Sequence, residues 1–178
     1  NTDVFVTYLL KTNLKENKYI SAIAIKPSNK RELHHARVEI DSSDFFEKKI
    51  NTDGYFETTS IENESDIALL NSKPIAIYLP GLFYNKFPKG TAYPLTVKDN
   101  VILHLHYAPT TIKQEDKTEV WIYYSDIPNP KKVVFKNGSM NDFSIILQPD
   151  SITTVSFKSE PLKKDFSIFA LQLHMHLL

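Results

Sequence analysis

The chain contains no cysteine, which excludes disulfide crosslinks, thiolate zinc sites and a cysteine nucleophile. The compartment stays open on that evidence, because a secreted domain with a good core does without crosslinks. Net charge is absent too: 21 Lys and Arg balance 21 Asp and Glu, so no field draws the protein to nucleic acid or anionic lipid, and nucleic acid is excluded as a partner. No apolar run approaches the roughly 20 residues that span a bilayer, and the start at Asn1 lacks the basic-then-apolar layout of a secretion signal. A leader or anchor removed from the chain is compatible with this, as are a membrane-surface or multi-protein assembly and any oligomeric state. G-x-S-x-G, a phosphate loop and G-x-G-x-x-G are all missing, so hydrolase and nucleotide-binding readings lack a motif. There is no internal repeat and no low-complexity segment.

What is present points to β-structure. A chain of 178 residues with 42% hydrophobic and 12% aromatic content suffices for a packed core in one large domain or two small ones. Period-two alternation with β-branched and aromatic residues predicts strands over 4–10, 19–25, 36–40, 75–79, 101–107, 119–124, 144–147, 152–157 and 166–176. Turn signals separate them, among them Asp53-Gly54, Pro80-Gly81, Pro88-Lys89-Gly90 and Asn137-Gly138, at intervals that suit an antiparallel sandwich. Short helical turns over 43–48 and 64–70 do not change the class. The expected fold is all-β: an antiparallel, jelly-roll-like β-sandwich over 1–127, then the start of a second β-sandwich over 128–178. The boundary is placed at the proline-rich break Asp126-Ile127-Pro128-Asn129-Pro130. The second unit is expected to be incomplete, because it reaches Leu178 on an apolar strand.

The six histidines fall in three tight pairs: His34-His35, His104-x-His106 and His174-x-His176. Imidazole is the commonest protein ligand for zinc and copper, so such clustering in a cysteine-free chain is a metal-site signal. Residues two apart on a strand share a face, so His104 and His106 point one way and Leu103, Leu105 and Tyr107 the other. The same geometry holds for His174 and His176 against Leu173, Met175 and Leu177. Adjacent His34 and His35 would face opposite sides of a regular strand, and they meet one ion only at a strand end or a bulge. The turn from Pro27 to Arg31 just upstream makes that possible. His34, His35 and His106 already make three ligands, so His104 is expected to stand aside.

Other chemistry has less behind it. Asp44, Glu47, Glu62, Glu64, Asp66, Glu115, Asp116 and Glu119 lie in charged, turn-like stretches and are expected to be solvated surface. Tyr78, Phe83, Tyr84, Phe87 and Tyr93 crowd around Leu79-Pro80-Gly81, where they are expected to pack a long loop onto the sandwich, with a substrate wall as the alternative.

Four motifs run in order: Leu33-His34-His35-Ala36 after a proline-containing turn, then Leu79-Pro80-Gly81 with Pro88-Lys89-Gly90, then a strand ending His106-Tyr107-Ala108-Pro109, and finally His174-Met175-His176-Leu177-Leu178. In this order the chain resembles the copper type II, ascorbate-dependent monooxygenases, the family of peptidylglycine α-hydroxylating monooxygenase, dopamine β-hydroxylase and bacterial relatives. The likeness extends from about Tyr8 to Leu178. It implies two sandwiches, each with one copper: His34, His35 and His106 at the copper that stores and delivers an electron, His174 and His176 at the copper where dioxygen binds and a C–H bond is hydroxylated. It implies ascorbate as reductant, a small-molecule or peptide substrate, and a secreted, periplasmic or cell-surface location. In that family the second copper also takes a methionine from a strand well beyond His-x-His. The methionines here are Met140 and Met175, so that site is expected to be half present, in either an N-terminal piece of a longer enzyme or a shortened relative. The family's animal members are disulfide-rich, so the missing cysteines point to a bacterial type. Two alternatives remain: a non-catalytic extracytoplasmic copper-binding or interaction module of a larger surface assembly, and a zinc-stabilised domain, the latter disfavoured because structural zinc usually recruits cysteine.

Overall fold

A computed structural model of the chain describes residues 2–43, 45–58, 72–135, 148–156, 158, 161 and 163–171. The protein is all-β, with two sheets that face one another across a common core. It divides into two compact units, Asn1–Phe135 and Lys136–Leu178.

In the first unit, β1 (Val4–Lys11), β3 (Leu33–Asp41), β4 (Tyr55–Thr58), β5 (Ser72–Tyr78) and β8 (Asn100–Tyr107) form one sheet, in the order β4-β1-β8-β3-β5. Every pairing in it is antiparallel. The second sheet is built on β2 (Lys18–Lys26). On it β9 (Glu119–Tyr124) pairs along 20–26, β7 (Thr91–Leu95) along 18–20 and β6 (Tyr84–Lys86) along 22–24. A strand has two edges and β9 spans the stretches used by both others, so β6 and β7 share the opposite edge end to end. The two-residue β10 (Lys131–Lys132) lies parallel to β7, and Val133 donates its N–H to the Ala92 carbonyl at 2.8 Å, so the first unit keeps the chain past the proline-rich break.

The alternation read from the sequence sets which side chains face the core. Val4, Val6 and Tyr8 of β1 pack inward with Ala36, Val38 and Ile40 of β3 and Val101, Leu103, Leu105 and Tyr107 of β8, against Ile23 and Ile25 of β2. The opposite face of the first sheet is not left to water. Phe46, wholly buried, sits on Leu9 and Ile102 with Phe45, Ile50 and Phe56, so the segment after β3 folds back as a cover. The cover turns at Gly54, which sits at φ +82°, a conformation that side-chain-bearing residues avoid, and its carbonyl accepts the Leu9 N–H at 3.1 Å. β8 is therefore buried on both faces along Asn100–His106.

Six of the expected strands are present, as β1, β2, β3, β5, β8 and β9, and the short β4, β6, β7 and β10 add to them. Of the helical turn expected over 43–48, residues 45–49 form a run of turns closed by the Lys49 and Ile50 N–H groups on the Phe46 carbonyl, short of a helix, and residue 44 lies outside the described residues. The stretches 64–70 and 144–147 lie outside the described residues. The strands expected over 152–157 and 166–176 are not formed where they are described, at 152–156 and 166–171. Alternation alone does not make a strand: its N–H and C=O groups need a paired neighbour, and Ile152 stands 99% exposed.

Candidate metal centre

The two ligand-bearing strands, β3 with His34 and His35 and β8 with His106, meet at one end of the first sheet. β3 and β8 pair with Leu33 opposite Tyr107 and His35 opposite His106, so one extra residue of β3, His34, is taken up by a bulge. The bulge is what lets adjacent histidines turn to the same side. His34 is exposed, His35 half-buried and His106 only 5% exposed.

The three Nδ1 atoms form a nearly equilateral triangle: 3.2 Å from His34 to His106, 3.3 Å from His35 to His34 and 3.3 Å from His106 to His35. Hydrogen bonds cannot satisfy this arrangement. Each Nδ1 has one in-plane site, either a proton or a lone pair, so no assignment of protons makes all three contacts attractive at once. A cation accepts all three lone pairs. Tetrahedral bonding at about 2.0–2.1 Å, usual for imidazole on a first-row ion, puts donor nitrogens about 3.3–3.4 Å apart, close to the spacing observed. The rings are steeply inclined, at 86° and 82° between His106 and each of the others, so the lone pairs converge without the rings stacking on each other. The His34, His35 and His106 cluster can hold a metal ion.

Two residues near the start of the chain, Phe5 of β1 and Asp3 just before it, grip His106. Phe5 lies directly across from it in the β1–β8 register and stacks on its ring, with centroids 4.2 Å apart and planes 20° from parallel. Asp3, just before β1, places Oδ1 at 2.8 Å from His106 Nε2. A carboxylate there can accept a hydrogen bond from Nε2–H, and in a neutral imidazole with that proton the lone pair lies at Nδ1.

Asp116 joins the turn before β3 to the end of β8. Its Oδ1 accepts from the Ser28 N–H, the Ser28 hydroxyl and the Asn29 N–H, each at 2.9 Å. Its Oδ2 accepts from the Tyr107 hydroxyl at 2.8 Å and from the Thr118 hydroxyl. Burial pushes the Asp116 carboxyl up, but these donors outweigh it and hold the group below the ordinary aspartate range. Burial, then the bond to Asp116, pushes the Tyr107 phenol far above its ordinary value. Asp116 was expected among the solvated carboxylates. It is a partly buried hub instead, because three donors of the turn at Ser28 and Asn29 converge on its Oδ1. Glu115 and Glu119 are exposed, as is Glu47, which pairs with Lys11.

His104 is outside the cluster. It lies two residues before His106, 4% exposed, with Nδ1 2.9 Å from the Thr7 hydroxyl, Nε2 3.3 Å from Glu39 Oε2, and the edge of Phe46 beside its ring. Glu39 is also paired with Arg37. Burial raises the Glu39 carboxyl, while the bond and charge of His104 and the charge of Arg37 together carry it below the ordinary glutamate value. Of the aromatics near the Pro80-Gly81 turn, Tyr78, Phe87 and Tyr93 are core residues, whereas Phe83 and Tyr84 are exposed.

His174, His176, Met140 and Met175 lie outside the described residues, as do Asp44, Glu62, Glu64 and Asp66. The sequence reading gave Asp3 and Phe5 no part in the site, although Phe5 lies in the strand expected over 4–10. The signal available for them was the period of two, which, carried one residue back from β1, puts Asp3 on the side of Phe5, but only the pairing with β8 shows which histidine that side meets. Fold and site together define an all-β sandwich with a three-histidine cluster fit for a metal ion. No protein-family model matches the chain, and no curated protein sequence matches it.

Proposed function

We propose that this chain is the copper-bearing part of a monooxygenase-like protein that hydroxylates a C–H bond with dioxygen and ascorbate. His34, His35 and His106 hold the copper that stores an electron and passes it on. The observation that carries this reading is the triangle of three Nδ1 atoms at 3.2–3.3 Å, all-imidazole and cysteine-free, a donor set that suits copper among the first-row ions, with the choice of copper taken from the residue resemblance. Hydroxylation consumes one substrate C–H bond, one dioxygen, two electrons and two protons, and gives one C–O–H group and one water. Ascorbate supplies the two electrons, and a centre that accepts them singly is what such a reaction needs. Bound copper supplies that one-electron step. His174 and His176 are proposed, on the residue resemblance, as half of the oxygen-activating site, with a small-molecule or peptide substrate and a secreted, periplasmic or cell-surface location.

A second reading has one observation in its favour. His34 is exposed, so an ion held there meets solvent, which suits a non-catalytic module that takes up and releases copper at a surface assembly. The two readings part on one experiment. Copper-loaded protein is treated anaerobically with ascorbate while the Cu(II) electron paramagnetic resonance signal is followed, and oxygen uptake is then measured. The hydroxylase reading expects one ion at the three histidines, bleaching by ascorbate and reoxidation by oxygen. Copper that stays Cu(II) under ascorbate leaves the binding module, and a site that takes zinc but no copper overturns both.

A further inference from the structure

The structure assigns Asp3 a part in the metal centre: it is the positioning residue that fixes His106 as an Nδ1 donor and places a negative charge one imidazole away from the ion. The electronic half of this inference rests on the copper reading above; the positional half does not.

Three observations carry it. The Asp3 carboxylate meets His106 at Nε2, the nitrogen that points away from the triangle, at 2.8 Å. The other ring nitrogen of His106 is one corner of the triangle. The ring is held between these two demands by Phe5 stacked on its face. An imidazole carries one proton when neutral, so a carboxylate that takes the Nε2–H as its hydrogen-bond donor leaves the lone pair at Nδ1, where the other two imidazoles already point. Such carboxylate–histidine–metal arrangements orient the ring and raise its donor strength. The charge has a second effect. A carboxylate near the ion stabilises a dipositive ion more than a monopositive one, so Asp3 biases the centre toward Cu(II) and lowers its reduction potential. Asp3 is 47% exposed, which weakens this influence through solvent without removing it.

Two substitutions separate position from charge. Asp3→Asn keeps a carbonyl oxygen that can accept from Nε2–H but removes the charge; Asp3→Ala removes both. The full 178-residue chain is used throughout. In the metal-free protein, nitrogen-15 correlation spectra of the imidazoles report which nitrogen carries the proton. The expected result is a single Nε2–H tautomer for His106 in the wild type and in Asp3→Asn, and a tautomer mixture in Asp3→Ala. Chelator competition is then expected to show Cu(II) affinity falling 10- to 100-fold in Asp3→Ala. In Asp3→Asn the loss is smaller and greater for Cu(II) than for Cu(I). A tenfold difference between the two losses is a rise of about 59 mV in potential. A doubly protonated His106 in the wild type, or a tautomer unmoved by Asp3→Ala, overturns the inference, since Asp3 is then only the counter-ion of an imidazolium. A wild type that binds no copper but keeps the Nε2–H tautomer defeats the function proposed above while the positioning role stands. Equal losses of Cu(I) and Cu(II) affinity in Asp3→Asn refute the charge effect.

Discussion

His104→Ala and His106→Ala remove the same side chain from the same face of one strand, two residues apart, yet they should have opposite consequences. His106→Ala takes away one of three donors, the only deeply buried one, and should abolish copper binding; it also opens a void against Phe5 and so costs some stability, but it leaves no buried carboxylate, since Asp3 has access to water. His104→Ala should leave copper stoichiometry intact and strike stability. Glu39, 2% exposed, would keep Arg37 but lose the imidazole that helps hold it ionised, the Thr7 hydroxyl would lose a buried partner, and a void would open beside Phe46. Removing one partner of a buried pair costs about 3–5 kcal/mol. With Arg37 still in place the lower end applies, about 3 kcal/mol. For a folding unit of this size that corresponds to a fall in Tm of about 12 °C. Circular dichroism melts and urea titrations read the stability, and chelator competition reads the metal. The double variant His104→Ala with Glu39→Gln should lose less than the two single losses added, by about 1–3 kcal/mol, because both single variants break the same His104–Glu39 contact. A comparable loss of copper from both single variants would show that His104 belongs to the centre. A cost under about 1 kcal/mol for His104→Ala would show that the pair contributes nothing to the fold.

The same carboxylates and phenols make stability depend on pH at both ends. Glu39 and Asp116 are held below their ordinary values of 4.5 and 3.8, so their contribution is present above those values and is lost as pH falls through the depressed ones; the urea midpoint should drop below about pH 4.5, and less steeply in Glu39→Gln. Tyr107 and Tyr93 are raised above 10, Tyr93 to about 12, so stability should decline as pH rises beyond 10, with Tyr107→Phe removing part of that slope. Asp116→Asn should speed amide hydrogen exchange at Ser28 and Asn29 and weaken copper binding without changing its stoichiometry; unchanged exchange would show that the hub does not hold the turn. Copper at 100 times its dissociation constant should stabilise the wild type by about 2.7 kcal/mol, and His106→Ala not at all, as read in melting curves.

The sequence made the strands legible where alternation ran long, as in 101–107, and left out β4, β6, β7 and β10, whose two to five residues carry too little pattern. The pairs His34-His35 and His104-x-His106 were visible as chemistry, and the need for a bulge followed from the period of two. What the sequence does not contain is which strand lies beside which. Asp3 is a carboxylate near the start of a strand until β1 is known to pair with β8, and Asp116 sits in a charged loop until 28–29 is known to fold against it. Both are long-range facts, separated from their partners by 103 and 87 residues. The failure at 152–156 has the same origin, since the alternation there is genuine but no local feature supplies a neighbouring strand.

The centre and the core depend on a single register. Along the outer face of β8, successive outward positions hold Ile102 beneath Phe46, His104 against Glu39 and Thr7, and His106 in the triangle, in steps of about 6.6–6.8 Å. The residues across from them on β1 are Leu9, Thr7 and Phe5, each matched in kind to its neighbour: apolar beside apolar, hydroxyl beside imidazole, aromatic ring stacked on the metal-facing ring. A slip of one residue would turn Leu103 and Leu105 outward and carry both imidazoles into the sandwich core, so the apolar pattern that folds the sheet also brings His106 to the strand end where His34 and His35 wait. Metal affinity is therefore coupled to folding of the first sheet as a whole. A core substitution far from the ion, such as Leu103→Ala, should weaken copper binding through the unfolded fraction it populates, and added copper should restore the fold. If copper affinity stayed constant while the folded population fell, the triangle would have to form without the β3–β8 pairing, and the register argument would fail.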